Sequence, residues 1–110
     1  MKIPNAEQAV IDIRKLRDYC LNLTHPRGKH KAFVFLTALG LSAHNADELR
    51  MILLSIVQKQ DAVMTETDDY GCRYVIDFAL TRRSRTATIR SCWIVRRDED
   101  FPRLTSCYVL

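Results

Sequence analysis

The sequence predicts an α+β fold in which about three N-terminal helices pack on one face of a C-terminal, four-stranded antiparallel sheet. Apolar residues recur at helical spacing between residues 13 and 56. From residue 61 onward, four segments rich in β-branched and aromatic residues follow one another, separated by polar turns. Helices first and strands last are typical of an α+β meander. A chain of 110 residues suits a single domain, 1–110.

Three helices are predicted. The first, IRKLRDYCLN, follows the capping residue Asp12 and has one apolar face of Ile13, Leu16, Cys20 and Leu21. The second, KHKAFVFLTALG, ends at Gly40. The third, ADELRMILLSIVQKQ, has Asn45 as its N-cap and a buried stripe of Leu49, Ile52, Leu53 and Ile56. The preceding segment, IPNAEQAVID, is ambiguous between a helix and an extended lead-in.

The predicted strands are DAVMTET, CRYVIDFALT, TATIRSCWIVR and LTSCYVL, with turns at DDYG and RRSR and a loop at RDEDFPR. Alternate residues of a strand share a face, so the third strand divides into two sets. One face carries Ala87, Ile89, Ser91, Trp93 and Val95. The other face carries Thr88, Arg90, Cys92, Ile94 and Arg96.

The charge distribution favours a polyanionic partner without requiring one. The net charge is +4 and the isoelectric point is about 9.0, values that ordinary solubility also explains. From Thr81 to Arg97 there are six arginines and no acid. Arginine suits bidentate contacts to phosphate, so the sequence predicts RNA contacts by four arginines and one lysine. These residues are Arg82, Arg83, Arg85, Arg96 and Lys29.

Several function classes lack their motifs in this chain. The four cysteines contain no C-x-x-C pair, so neither a metal site nor any other cofactor is expected. The P-loop, the dinucleotide-binding glycine motif and the H-E-x-x-H zinc motif are all missing. No apolar run is long enough for a membrane span, and nothing resembles a signal peptide. We therefore expect reduced thiols and a cytoplasmic protein without membrane association.

The stretch KHK at the start of the second helix is a candidate half-site. On a helical wheel, His30 points away from the apolar face formed by Ala32, Phe35, Leu36 and Leu39. Lys29 and Lys31 flank it in the first turn, where backbone N–H groups and the helix dipole attract anions. A phosphate seat and a solvated surface histidine both fit these residues.

Arg90 in the middle of the third strand is the candidate for the other half. Ser106 and Tyr108 share one face of the last strand, and the register decides whether that face is shared with Arg90. An arginine, a histidine or lysine, a serine and a tyrosine suffice for RNA cleavage by the ribose 2′-OH, which needs a base, an acid and cations. The alternative is that Ser106 and Tyr108 only pack an edge strand.

Six motifs together resemble a known family: IPNAEQAVID, LRDYCLN, HPRGKHKAFVF, YGCRYVIDF, TIRSCWIV and FPRLTSCYVL. It consists of small uncharacterised bacterial domains that occur alone beside a very small protein, or at the C-termini of toxin-like or phage-derived proteins. The layout is also similar to the barnase–EndoU–colicin–RelE group of metal-independent RNases. That similarity implies a catalytic set of His30, Lys31, Arg90, Ser106 and Tyr108.

The resemblance implies the toxin of a bacterial toxin–antitoxin pair, acting as a metal-independent endoribonuclease. A small acidic antitoxin or immunity-type protein and RNA are the expected partners, and a homo-oligomer remains open. The alternative is a non-catalytic basic module that binds an acidic partner protein or nucleic acid. A third reading, an inhibitor or immunity-type protein that binds a basic toxin, fits a net charge of +4 poorly.

Overall fold

The computed structural model describes residues 1–110 and has the predicted order of helices and strands. The helices are α1 (Ile13–Lys15), α2 (Lys29–Leu39) and α3 (Ala46–Lys59), and the strands are β1 (Val63–Asp68), β2 (Gly71–Arg82), β3 (Arg85–Arg96) and β4 (Pro102–Val109). The strands form one antiparallel sheet in the order β1-β2-β3-β4. The predicted α+β meander is therefore confirmed.

The first helical segment is less regular than its apolar spacing predicts. After α1, the backbone widens into a π-helix, Leu16–Cys20, in which the Leu21 N–H donates to the Leu16 carbonyl at 2.9 Å. A turn of this width stacks Leu21 over Leu16, and both side chains are buried. The cap at Asp12 is confirmed, since its carboxylate accepts from the Arg14 N–H at 3.0 Å.

The ambiguous lead-in is neither a long helix nor a strand. It contains one 3₁₀ turn, Ala6–Gln8, and then a single parallel bridge from Val10 to Arg103 of β4. The Val10 N–H donates to the Pro102 carbonyl, and the Leu104 N–H donates to the Val10 carbonyl. This bridge covers the beginning of the exposed edge of β4.

Gly40 and Asn45 occupy the positions predicted for the C-terminal cap of α2 and the N-cap of α3. Gly40 ends α2 in the left-handed conformation, with φ of 67°. Asn45 is the N-cap residue of α3, but its side chain makes no capping hydrogen bond to that helix, because its oxygen accepts instead from the Ser42 N–H at 3.0 Å. The link between the two helices contains a 3₁₀ turn, Ala43–Asn45, and the amide of Asn45 accepts at the start of that turn. The backbone turn before α3 thus competes with the helix for this side chain.

The helices cover one face of the sheet and share a hydrophobic cluster of 21 buried residues with it. Of the stripe predicted on α3, Leu49 and Leu53 are fully buried, whereas Ile52 and Ile56 are half-buried. The covered face of β3 presents Ile89, Ser91 and Trp93, as the alternation predicts. No helix has the combined length and hydropathy that crossing a membrane would require.

Candidate functional site

The face of the sheet opposite the helices carries polar side chains aligned across three strands. Asp77 of β2 pairs with Arg90 of β3, and Arg90 pairs with Tyr108 of β4. Directly paired residues point to the same face, so these three side chains lie side by side. Lys31, from the first turn of α2, reaches Tyr108 as a fourth member. We call Asp77, Arg90, Tyr108 and Lys31 the open-face row.

Arg90 is held in place by the carboxylate of Asp77. Its Nε and Nη2 atoms donate to the two carboxylate oxygens at 2.8 and 2.9 Å, which is a bidentate pair. The hydrogen bonds that Arg90 donates to Asp77 raise the pKa of Arg90, and Tyr108 acts in the same direction, while Arg90 lowers the pKa of Asp77. About a third of each paired side chain remains exposed to solvent. The guanidinium is thus oriented but still accessible to a ligand.

Lys31 and Arg90 flank the ring of Tyr108. The Lys31 Nζ lies 4.1 Å from the ring centroid, a cation–π geometry. The pairing in the sheet places the Arg90 guanidinium on the neighbouring strand. Tyr108 is half-buried, and its hydroxyl can donate a proton or a hydrogen bond to an anion that these cations bind. Lys31 thus links the start of α2 to β4.

Ser106 lies one step along the same face of β4, opposite Cys92. Burial raises the pKa of the Cys92 thiol, although the charges of Arg90 and Lys31 act in the opposite direction. Ser106 also neighbours the buried Cys20. The thiol of Cys107, the backbone of Cys107 and the hydroxyl of Ser106 lower the pKa of Cys20 to about 7. Ser106 is half-buried and lies at the edge of the row.

The row combines two cations, one carboxylate and one phenol on an open surface. Such a set can bind a phosphate, stabilise added negative charge on it and donate one proton. No three histidine, cysteine or acidic side chains come together as a metal site.

His30 and Lys29 do not join the row. Both side chains are exposed, and neither takes part in a hydrogen bond or an ion pair within the protein. His30 lies on the outer face of α2, away from the core as the helical wheel predicts. The same outer face exposes Phe33 and Val34, which are 58% and 39% exposed. This surface, His30, Phe33, Val34 and Thr37, is the α2 ridge.

The arginines assigned to RNA contacts differ in their surroundings. Arg82 is 9% exposed, and it binds Glu48 and the carbonyls of Leu39 and Gly40. Its donors are thus occupied, which leaves it out of the proposed site. Arg83 lies in the two-residue hairpin turn with Ser84, where both residues have positive φ. Arg85 donates to the Thr37 carbonyl at 3.3 Å, and Arg96 is exposed at the end of β3.

Sequence reasoning missed Asp77 and also His25, which lies in the loop before α2. A signal for Asp77 was present, because it is the only acid in the apolar segment CRYVIDFALT. A two-residue turn at Arg83 and Ser84 aligns Asp77 with Arg90. The sequence contains no such signal for His25, because the backbone N–H groups that bind its ring are brought there by the conformation of the loop.

Two comparisons relate the chain to known proteins. A family model described as "Domain of unknown function (DUF6883)" matches residues 2–110. A solved structure is similar in fold: a chain of a contact-dependent growth inhibition toxin–immunity protein complex from Klebsiella pneumoniae 342. The TM-score is 0.68 at 16% identity, over 92% of this chain and 99% of that chain. No curated protein matches the sequence at a significant level.

Proposed function

We propose that this chain, which belongs to the DUF6883 family of domains of unknown function, is the toxin of a bacterial toxin–antitoxin pair and a metal-independent endoribonuclease. The observation that carries the proposal is the convergence of Lys31, Arg90 and Tyr108 on one open sheet face. The similarity in fold to a chain of a toxin–immunity complex supports a toxin-like role. The cytoplasm, where RNA is available, is the proposed site of action.

In the proposed reaction, the 2′-oxygen of a ribose attacks the adjacent phosphorus and the bond to the 5′-oxygen breaks. Arg90 and Lys31 bind the phosphate and stabilise the charge of its pentavalent transition state. The Tyr108 hydroxyl donates the proton that the leaving 5′-oxygen takes up. The products are a 2′,3′-cyclic phosphate and a 5′-hydroxyl.

His30 is the proposed base because it is exposed and directly precedes Lys31, and from the outer face of α2 it would meet RNA that extends beyond the row. It would accept the proton of the 2′-OH. Ser106 would orient the substrate by a hydrogen bond from the edge of the row. Lys29 and the exposed arginines Arg83, Arg85 and Arg96 would contact flanking phosphates as point charges.

A second candidate function is a non-catalytic module that binds a small acidic protein. The α2 ridge favours it, because two exposed apolar residues, Phe33 and Val34, lie between cationic ends. Lys29 forms one end, and Arg85, bound to the Thr37 carbonyl, forms the other. Residues 19–46 contain no acid, so an acidic partner would meet no repulsion there. A toxin would use the same ridge to bind its antitoxin or immunity-type partner.

Expression in bacteria without any partner tests the proposed function. We expect growth arrest together with fragmentation of total RNA. Arg90→Ala and His30→Ala should restore growth while the protein stays folded, as circular dichroism can verify. Normal growth with intact RNA in the wild-type culture would contradict the toxin proposal. A salt-sensitive complex in which any RNA stays full length would instead favour the binding module.

A further inference from the structure

A polar groove runs beside β4, where α1 and the loop before α2 meet the strand. It has a volume of about 480 Å³, and its walls include Lys15, His25, Arg27 and Thr105. A smaller cavity of about 100 Å³ shares Lys15 and Thr105 with it and extends toward Arg96. We call the two cavities together the β4 groove.

His25 is fixed in one orientation at this groove. Its Nδ1 accepts hydrogen bonds from the backbone N–H groups of Arg27 and Gly28, both at 3.0 Å. The ring packs edge-on against Tyr19, with 4.7 Å between the centroids and 72° between the planes. Gly28 permits this packing, since a Cβ there would approach the Tyr19 ring to 3.0 Å.

The two hydrogen bonds at Nδ1 also fix the tautomer of His25. A nitrogen that accepts two N–H groups carries no proton, so the proton of the neutral ring is on Nε2. Nε2–H is then the polar atom left for a ligand, and it can donate but not accept. His25 therefore differs from His30, whose ring has no partner and whose two nitrogens are both free.

The charge of the groove is positive although two acids also line it. Arg14 binds Asp12 through two hydrogen bonds of 2.8 and 3.1 Å and lowers the pKa of Asp12 to about 2. Arg17 binds Asp18 in the same bidentate way and lowers its pKa. Lys15 and Arg27, by contrast, have no acidic partner within 4.0 Å. These two cations are therefore available to an anion.

We propose that the β4 groove binds a second phosphodiester of single-stranded RNA, with His25 as a neutral, fixed donor and Lys15 and Arg27 as its charges. The inference rests on the proposed function and identifies where the strand continues beyond the cleaved bond. Thr105 in the groove and Tyr108 in the row are three residues apart on β4, about 10 Å. A short stretch of single-stranded RNA spans that distance.

The test uses the full chain and a short, uniformly 2′-O-methylated RNA, which has no 2′-OH and cannot be cleaved. His25→Asn is the central variant, because its side-chain oxygen can still accept from the Arg27 and Gly28 N–H groups while the Nε2 donor is lost. Lys15→Ala removes one groove charge. Lys59→Ala removes one charge from the far end of α3 and is the matched control.

Fluorescence anisotropy at several salt concentrations gives the dissociation constants. We expect His25→Asn and Lys15→Ala each to weaken binding about tenfold, and Lys59→Ala to change it little. Lys15→Ala should reduce the slope of log Kd against log salt by about one. His25→Asn should leave that slope unchanged, because a neutral donor releases no counterion.

Wild-type affinity in both groove variants, or no RNA binding by the wild type, would overturn the inference. If His25→Asn reduced the slope of log Kd against log salt, His25 would not be a neutral donor, and the inference would be wrong. Weaker binding of the acidic partner with unchanged RNA binding would also overturn it, in favour of a protein ligand. Failure of the proposed function is a separate result, in which the wild type binds RNA through the groove but leaves cleavable RNA intact.

Discussion

Arg82 and Arg90 belong to the same hairpin and each binds a carboxylate, yet they lie in different surroundings. At the hairpin end, the Arg82 side chain is 8% exposed, and its four hydrogen bonds join β2 to the end of α2 and to Glu48 of α3. At the open-face row, the Arg90 side chain is 36% exposed, and it donates two hydrogen bonds, both to the carboxylate of Asp77.

The difference shows that an arginine-rich segment can contain both an arginine used within the fold and one that stays accessible, as the proposed RNA contact requires. Arg82 satisfies two carbonyl groups at the C-terminus of α2, so its donors are used within the protein. Arg90 is oriented by one carboxylate and keeps further N–H groups accessible. Exposure and the identity of the acceptors separate the two roles, whereas residue type does not.

The largest expected effect is the loss of RNA cleavage when Arg90 is replaced by alanine, Arg90→Ala. We expect the rate to fall about 1000-fold, or about 4 kcal/mol, because a preorganised donor to the transition state is lost. The melting temperature should change little, since exposed ion pairs contribute about 1 kcal/mol or less. Arg97→Ala, which removes an exposed arginine outside the row, is the matched control and should cleave RNA normally.

Tyr108→Phe separates the phenol from the ring that Lys31 contacts. The ring and its cation–π contact remain, so the fold and the position of Lys31 should be preserved. Loss of the proposed proton donor should slow cleavage about 100-fold. Single-turnover kinetics measure this, and a rate within a factor of about two of wild type would assign the proton transfer to another group.

The sequence predicts most of the sheet but not the register on which the row depends. The alternation of apolar and polar residues, together with the turn residues, suffices to locate the strands, because both are local features of the sequence. Between Cys92 and Trp93, however, the pairing of β3 with β4 shifts by one residue at a bulge. If the Trp93–Leu104 pairing continued unshifted, Arg90 would lie opposite Cys107. Tyr108 would then point to the other face.

The N-terminal half was predicted less well for the same kind of reason. The π turn after α1, the 3₁₀ turn that uses the Asn45 amide and the tautomer of His25 all depend on hydrogen bonds within irregular backbone. Periodicity and propensity contain no information about such bonds.

For stability, the comparison predicts the larger effect at the hairpin end. Arg82→Ala leaves the Leu39 and Gly40 carbonyls without their donor, so the free energy of unfolding should fall by about 2 kcal/mol. Urea denaturation measures this loss. If Arg82→Ala were no less stable than Arg97→Ala, the structural role of Arg82 would be wrong.

The smallest expected effect is a change in how strongly low pH destabilises the protein when the Arg82–Glu48 pair is removed. Arg82 lowers the pKa of Glu48 below its usual 4.5, so the folded state binds the proton less readily than the unfolded chain. The pair therefore stabilises the protein above that pH, and this contribution is lost as the pH falls through the lowered pKa. Thermal melts in a pH series should show a shallower acid loss for Glu48→Gln than for wild type. Equal slopes would mean that the pair contributes nothing.

The most direct test of the open-face row is cleavage of RNA by the purified protein in the presence of EDTA. We expect fragments that end in a 2′,3′-cyclic phosphate and begin with a 5′-hydroxyl, with no such products from Arg90→Ala. Intact RNA after incubation with folded wild-type protein, or fragments with 5′-phosphate ends, would contradict it.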